Sequence, residues 1–266
     1  MTDGRALARE FLAQQQLLGG DSVILPEDPR PRADRRTGGQ ADGNTPSRSA
    51  SPAVRPSAPA TDLPPPGISY DPPGGDLFSN DPVPQAVSLE AIAQLVASCT
   101  KCRLCEGRRH TVPGEGAAAA RLVVVGEGPG RVEDETGRPF VGPAGELLTK
   151  ILGAIDLPRE RVFICNVVKC RPPENRLPQF DEIAACVPYL FRQIDIVKPS
   201  VILAMGGTAA QTLLNTRQSL GALRNLVHRF RGIPVIVTYH PAALLRNPNW
   251  KKPTWDDVRI ARRLIG

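Results

Sequence analysis

No apolar run in these 266 residues approaches the ~18 needed to cross a bilayer. The N-terminus also lacks the unbroken apolar core of a secretory signal, because Asp3, Arg9, Glu10 and three glutamines interrupt it. These absences predict a cytoplasmic protein with no membrane partner. A complete dinucleotide fingerprint is missing too: Gly126 and Gly128 are followed by Arg131, where G-x-G-x-x-G requires a third glycine. Histidine is scarce, at three residues, and His110 and His228 have no partner pattern, so both read as surface residues. Cysteine is not scarce. Six thiols in a cytoplasmic chain argue for metal or redox chemistry more than for disulfides.

Charge is unevenly spread. Residues 1–87 hold 8 basic and 11 acidic side chains, whereas residues 88–266 hold 25 and 16. A basic body behind an acidic-to-neutral tail predicts a polyanionic partner, nucleic acid by default. Residues 1–20 read as a short amphipathic helix on Leu7, Phe11 and Leu18, a segment that offers a face to the body or to an unknown protein partner. Residues 21–87 read as a disordered linker, since 14 of the 28 prolines fall between Pro26 and Pro84. Order is expected from Ser88, an N-cap for a helix over Leu89–Ser98. One domain over 88–266 follows, expected to be monomeric.

Within that domain four apolar runs read as buried strands, each separated from the next by helical sequence. Such alternation makes parallel pairing the default. Leu122–Val125 runs into a glycine-rich loop carrying Glu127 and Gly128, with Glu133 just beyond and Phe140 in a second glycine- and proline-bounded loop. Pro143 suits the first turn of a helix running to about Ile155. The second run, 161–170, places Asn166 near its end, and the fourth, 233–240, ends on His240. The third run starts at Pro199 and ends in a glycine turn before a helix over Thr208–Leu214. In an open α/β sheet the carboxyl ends of the strands form the ligand-binding edge. A carboxylate, an aromatic platform, an amide and a histidine there suit a flat heterocycle. A rigid asparagine amide accepts from the N3–H and donates to the O4 of uracil, and so rejects cytosine, whose donor and acceptor are reversed.

Cys102 and Cys105, two residues apart, can bind one metal or cluster; Cys170 leaves the second strand, and Cys186 lies on a helix that starts near Gln179. Zinc and an iron–sulfur cluster both suit four thiolates. Cys165 reads as an inert core residue and Cys99 as a bystander in the preceding helix. Between Pro241 and Pro253 the chain reads as a loop in which Leu244 and Leu245 would wedge into a base stack while Arg246, Lys251 and Lys252 hold phosphates. A closing helix is expected from Trp255 to about Leu264.

Gly126-Glu-Gly-Pro-Gly, Glu133-Asp134, Gly137-x-Pro-Phe-Val-Gly-x-Ala-Gly145, Asn166-Val-Val-Lys-Cys-Arg-Pro-Pro173 and His240-Pro241 together resemble the family 4 uracil-DNA glycosylases. The likeness covers about residues 88–266. It implies a three-layer α/β/α sandwich with a four-stranded parallel sheet, and a 4Fe–4S cluster on Cys102, Cys105, Cys170 and Cys186. It also implies excision of uracil from single- or double-stranded DNA, leaving an abasic site. By that likeness Glu127, Glu133 and His240 are the catalytic candidates, and Glu127, Gly128, Phe140, Asn166 and His240 bind uracil. Three rivals stand beside this reading: a relative that traps uracil covalently through a histidine in an inserted loop, a non-catalytic iron–sulfur or DNA-binding module, and a redox carrier, which leaves the pocket residues unexplained. The 171–185 connection contains no histidine, and a binding module has no use for Glu127, Asn166 and His240 together.

Overall fold

The computed structural model describes residues 63–73 and 81–266; the helix expected within residues 1–20 lies outside them. In chain order the strands are β1 (Pro66–Tyr70), β2 (Glu115–Gly116), β3 (Leu122–Gly126), β4 (Phe163–Asn166), β5 (Val201–Met205), β6 (Val227–Phe230) and β7 (Ile233–Thr238). The helices are α1 (Leu89–Ala97), α2 (Leu104–Gly107), α3 (Arg131–Thr136), α4 (Pro143–Gly153), α5 (Phe180–Val197), α6 (Gly207–Leu214), α7 (Leu220–Leu223), α8 (Pro241–Arg246) and α9 (Lys251–Ile265). No helix among the described residues is long and apolar enough to cross a membrane.

The strands form one sheet in the order β1-β6-β7-β5-β3-β4-β2. Its centre, β4-β3-β5-β7, is parallel throughout, matching the four apolar runs. Side chains alternate across a strand, so each run feeds two cores. Val123, Val125, Ile202, Ala204, Val235 and Val237 pack on one face with α1, α5 and α6. Leu122, Val124, Val201, Leu203 and Ile236 pack on the other with α4 and α9. Burial on both faces explains why these strands are unbroken apolar runs.

Ser88 caps α1, its Oγ accepting the Ala91 N–H at 3.1 Å. The apolar 161–170 run is a strand only to Asn166; Val167 and Val168 instead donate to the carbonyls of Gly126 and Glu127. The short helix α3 replaces the loop expected around Glu133, and is stopped by Gly137 in the left-handed region.

Three expectations are corrected here. Residues 66–70, expected within a disordered linker, form β1, which pairs in parallel with β6. Val83 and Ala86 are buried as well, so packing begins before Ser88. His228 is buried rather than exposed: its Nδ1 accepts the Ile68 N–H at 2.9 Å, and its Nε2 lies 2.7 Å from the Leu223 carbonyl. This bonding makes it a neutral ring with the proton on Nε2. Finally, residues 241–253 are not a loop. Pro241 sits at the first position of α8, behind the cap of His240, and the last helix starts at Lys251. A proline at that position has no N–H to lose and a preset φ, so it favours helix.

Candidate active site and cysteine cavity

The carboxyl ends of β3, β4, β5 and β7 gather the residues singled out above. Gly126 ends β3 under tight constraint: a Cβ there would lie 2.4 Å from Asn166 Oδ1 and 2.5 Å from Phe140 Cζ. Only glycine lets backbone, amide and ring converge so closely. Phe140 is buried with φ 51°, and its carbonyl accepts from Arg159 Nη1 at 2.7 Å. Its ring centre is 5.4 Å from that of His240.

Asn166 is 1% exposed, and its Oδ1 is a buried acceptor with no hydrogen-bond partner among the described residues. Such an atom costs about 1–3 kcal/mol unless something fills its valence. The unused lone pairs sit beside Phe140 and the glycine loop.

His240 caps α8, its Nδ1 accepting the Ala242 N–H at 3.2 Å. The neutral ring therefore carries its proton on Nε2. Burial, assisted by the charge of Arg246 and opposed by that of Glu133, lowers its pKa from 6.5 to about 4. At neutral pH it is an uncharged N–H donor. The preceding Tyr239 ring stacks on Trp250 at 4.7 Å, and the Arg224 guanidinium lies 4.5 Å from its centre, bracing the strand end that presents His240.

The two glutamates are placed differently. Glu127 Oε2 accepts the hydroxyl of Thr208 at 2.5 Å. Glu133 accepts three backbone N–H groups, from Gly130 at 3.1 Å and from Val141 and Gly142 at 2.9 Å each. Its carboxylate thus ties the glycine loop to the segment carrying Phe140. Sequence reasoning passed over Thr208; the signal for it is the Met205-Gly-Gly-Thr208 turn, which ends β5 at the same edge.

Leu244 is corrected: it is 1% exposed on the buried face of α8 and cannot enter a base stack. Leu245 is 50% exposed, with Arg246, Lys251 and Lys252 exposed around it.

Behind the site, Cys99, Cys102, Cys105, Cys170 and Cys186 line one cavity with Arg108, Lys169 and Tyr189. Sequence reasoning set Cys99 aside, yet it faces the same space. Arg108 Nη1 donates to Cys170 Sγ, and the Lys169 N–H to Cys186 Sγ, each at 3.3 Å. Burial raises the thiol pKa of Cys102 to about 11 and of Cys186 to about 12, so only a bound cation would hold these sulfurs as thiolates. Among the described residues no three His, Cys, Asp or Glu converge tightly enough to hold a single metal ion. The thiols surround a space rather than a point. That donor set fits a multi-iron cluster, which spreads its four ligands further apart than one zinc ion does.

Fold and site together define an α/β/α protein that gathers a buried amide, an aromatic ring, a histidine and a carboxylate at the carboxyl ends of parallel strands. The chain belongs to the uracil DNA glycosylase superfamily, whose family model matches residues 113–260. It is 47% identical over 186 residues to the type-4 uracil-DNA glycosylase of Sulfurisphaera tokodaii, covering 66% of this chain and 84% of that protein. It is 48% identical over 181 residues to the type-4 enzyme of Thermotoga maritima, covering 66% and 94%. A more distant relative is the type-5 uracil-DNA glycosylase of Pyrobaculum aerophilum, 31% identical over 150 residues, covering 50% of this chain and 66% of that protein.

Proposed function

We propose that this chain is a DNA repair glycosylase that takes uracil out of the helix and hydrolyses its N-glycosidic bond, leaving an abasic site. The observation that carries this reading is the unpartnered Oδ1 of Asn166, a buried acceptor held beside an aromatic ring. Uracil N3–H supplies the missing donor. The amide nitrogen then donates to O4, and cytosine, with the opposite pattern, leaves both ends of the amide unpaired.

Extruding the base costs a few kcal/mol. Phe140 stacks on the extruded ring, and Leu245 fills the space left in the stack, while Arg246, Lys251 and Lys252 hold flanking phosphates. As the glycosidic bond stretches, negative charge collects on uracil O2 and positive charge on the sugar. The Nε2–H of His240 donates to O2, a preorganised contribution of about 3–4 kcal/mol. The N–H of Gly128, which makes no hydrogen bond among the described residues, adds a second donor. Glu127, oriented by Thr208, faces the sugar, where it stabilises the cation and directs water to it. Glu133 shapes the pocket through its three backbone bonds rather than touching substrate.

The cysteine cavity holds a 4Fe–4S cluster. Cys102, Cys170 and Cys186 supply three ligands, and Cys99 and Cys105, which line the same cavity, are the two candidates for the fourth. When bound, the cluster is structural, tying the segment after α1 to the exit of β4 and to α5. Whichever of Cys99→Ser and Cys105→Ser loses the visible cluster absorbance identifies the fourth ligand.

The deciding experiment is uracil release. A single-uracil oligonucleotide is incubated with the protein, cleaved with alkali and resolved on a denaturing gel, with and without protease. Strand cleavage at the uracil supports the reading. An intact strand refutes it, and a protease-sensitive shifted band replaces it with covalent capture.

A further inference from the structure

Between the pocket and the cysteine cavity stands a lysine that the mechanism does not use. Lys169 is fully buried, at 0% exposure, and is among the largest side chains in the core with no accessible surface. Its Nζ donates to the main-chain carbonyl of Asn166 at 2.8 Å and to Gln193 Oε1 at 2.6 Å. Gln193, itself buried, passes the connection on, its Nε2 donating to the Pro113 carbonyl at 2.7 Å. Both partners of the ammonium are neutral oxygens. Lys169 also lines the cavity of the cysteines, its backbone N–H donates to Cys186 Sγ, and its carbonyl accepts from Val112.

A buried cation with only neutral partners lacks the counter-charge that burial demands. Four thiolates around an iron–sulfur core supply a net negative charge on the other side of the same residue. We propose that Lys169 is a positioning residue with two linked tasks: it is the internal counter-ion of the cysteine-held cluster, and the same ammonium pins the backbone of Asn166. The cluster and the uracil-reading amide thereby share one cation. This rests on the cluster reading given above. The bond to the Asn166 carbonyl matters because β4 ends at that residue and the chain then turns away along the glycine loop. The Val167 and Val168 N–H groups bond to Gly126 and Glu127 on one side, and Lys169 holds the Asn166 carbonyl on the other.

The test uses the cluster-loaded protein, with Lys169→Met, Lys169→Arg and Gln193→Leu. Three quantities are measured: iron and sulfide content, the reduction potential from a titration followed by visible absorbance, and kcat and KM on a uracil oligonucleotide. Removing a positive charge beside a cluster disfavours adding an electron, so Lys169→Met is expected to retain iron but shift the potential to more negative values. Its kcat is expected to fall about tenfold with little change in KM, because a misplaced reading amide weakens transition-state contacts more than binding. Lys169→Arg keeps the charge and is expected to leave the potential near that of the unmodified protein. An unchanged potential in a loaded Lys169→Met protein, or an unchanged kcat, would overturn the proposal. If Lys169→Met fails to load, Gln193→Leu decides. It keeps the charge but removes one of the ammonium's two acceptors, so kcat is expected to drop at constant potential, and full activity refutes the strut. An unmodified protein that binds no iron after reconstitution would defeat the cluster reading itself, a separate failure from either of these.

Discussion

Replacing Asn166 with alanine separates the two quantities that an ordinary core substitution moves together. Truncating a buried, bonded polar side chain costs stability through the partner left behind. Here one end of the amide has no partner: Oδ1 is buried and unsatisfied. Removing it recovers about 1–3 kcal/mol of desolvation cost, set against about 1 kcal/mol for the small cavity formed. The net effect on unfolding is expected between neutral and stabilising, so the melting temperature should hold or rise by about 2–4 °C per kcal/mol gained. Excision moves the other way. Two hydrogen bonds to a ring acquiring negative charge are lost, about 1.5–3 kcal/mol each, so kcat/KM for uracil should fall roughly 10²–10⁴-fold. The assays are calorimetric or spectroscopic melting and single-turnover release from a uracil oligonucleotide, both on the cluster-loaded protein. A variant that melts well below the unmodified protein would show that Oδ1 was bonded and structural. One that excises uracil at the original rate would show that the amide does not read the base.

The depressed pKa of His240 has a signed consequence for pH. A histidine at about 4 when folded and 6.5 when unfolded binds its proton preferentially in the unfolded chain, so its neutral burial favours folding most above pH 6.5. That contribution, about 3 kcal/mol, should be lost as pH falls from 6.5 through 4, and His240→Gln should flatten this part of a stability–pH curve. Gly126→Ala places a Cβ 2.4 Å from Asn166 Oδ1, and excision should fall at least a hundredfold while the visible absorbance of the cluster persists; an active variant would show that the pocket is elsewhere. Deleting residues 1–62 should leave melting and excision unchanged. Deleting 1–80 should lower the melting temperature, since it strips β1 and empties the bonding partner of His228 Nδ1; equal melting of the two truncations would show that β1 contributes nothing.

The parts of the fold legible in the sequence are those in which burial on both faces left a local mark. Val123–Val125, Phe163–Cys165, Ile202–Ala204 and Val235–Val237 are apolar because helices cover both sides, and each run ends on a residue the site uses or at a glycine turn. What escaped depended on distant partners. Pro66-Gly-Ile-Ser-Tyr70 has the composition of its proline-rich surroundings and becomes a strand only because β6 offers an open edge. His228 looks like an isolated surface histidine until Ile68 and Leu223, 160 and 5 residues away, take its two nitrogens. Leu244 and Leu245 are adjacent and chemically identical; only the helix that Pro241 starts sends one inward and the other out. Glu127 and Glu133 are both candidate catalytic carboxylates in one dimension, with Glu127 the first choice for the sugar. The three backbone donors around Glu133 give it a structural task that Glu127 does not share.

β1 also closes one edge of the sheet. β1 runs parallel to β6, and β6 runs antiparallel to β7, so Pro66 is level with the middle of β7 and the chain before it points toward the His240 end. Residues 63–65 therefore enter the sheet from the carboxyl-end side of β7, and the Pro65 carbonyl accepts the Val227 N–H there. A five-residue edge strand that opens on proline offers a second chain little ladder to extend, so β1 blunts the edge that β6 would otherwise expose.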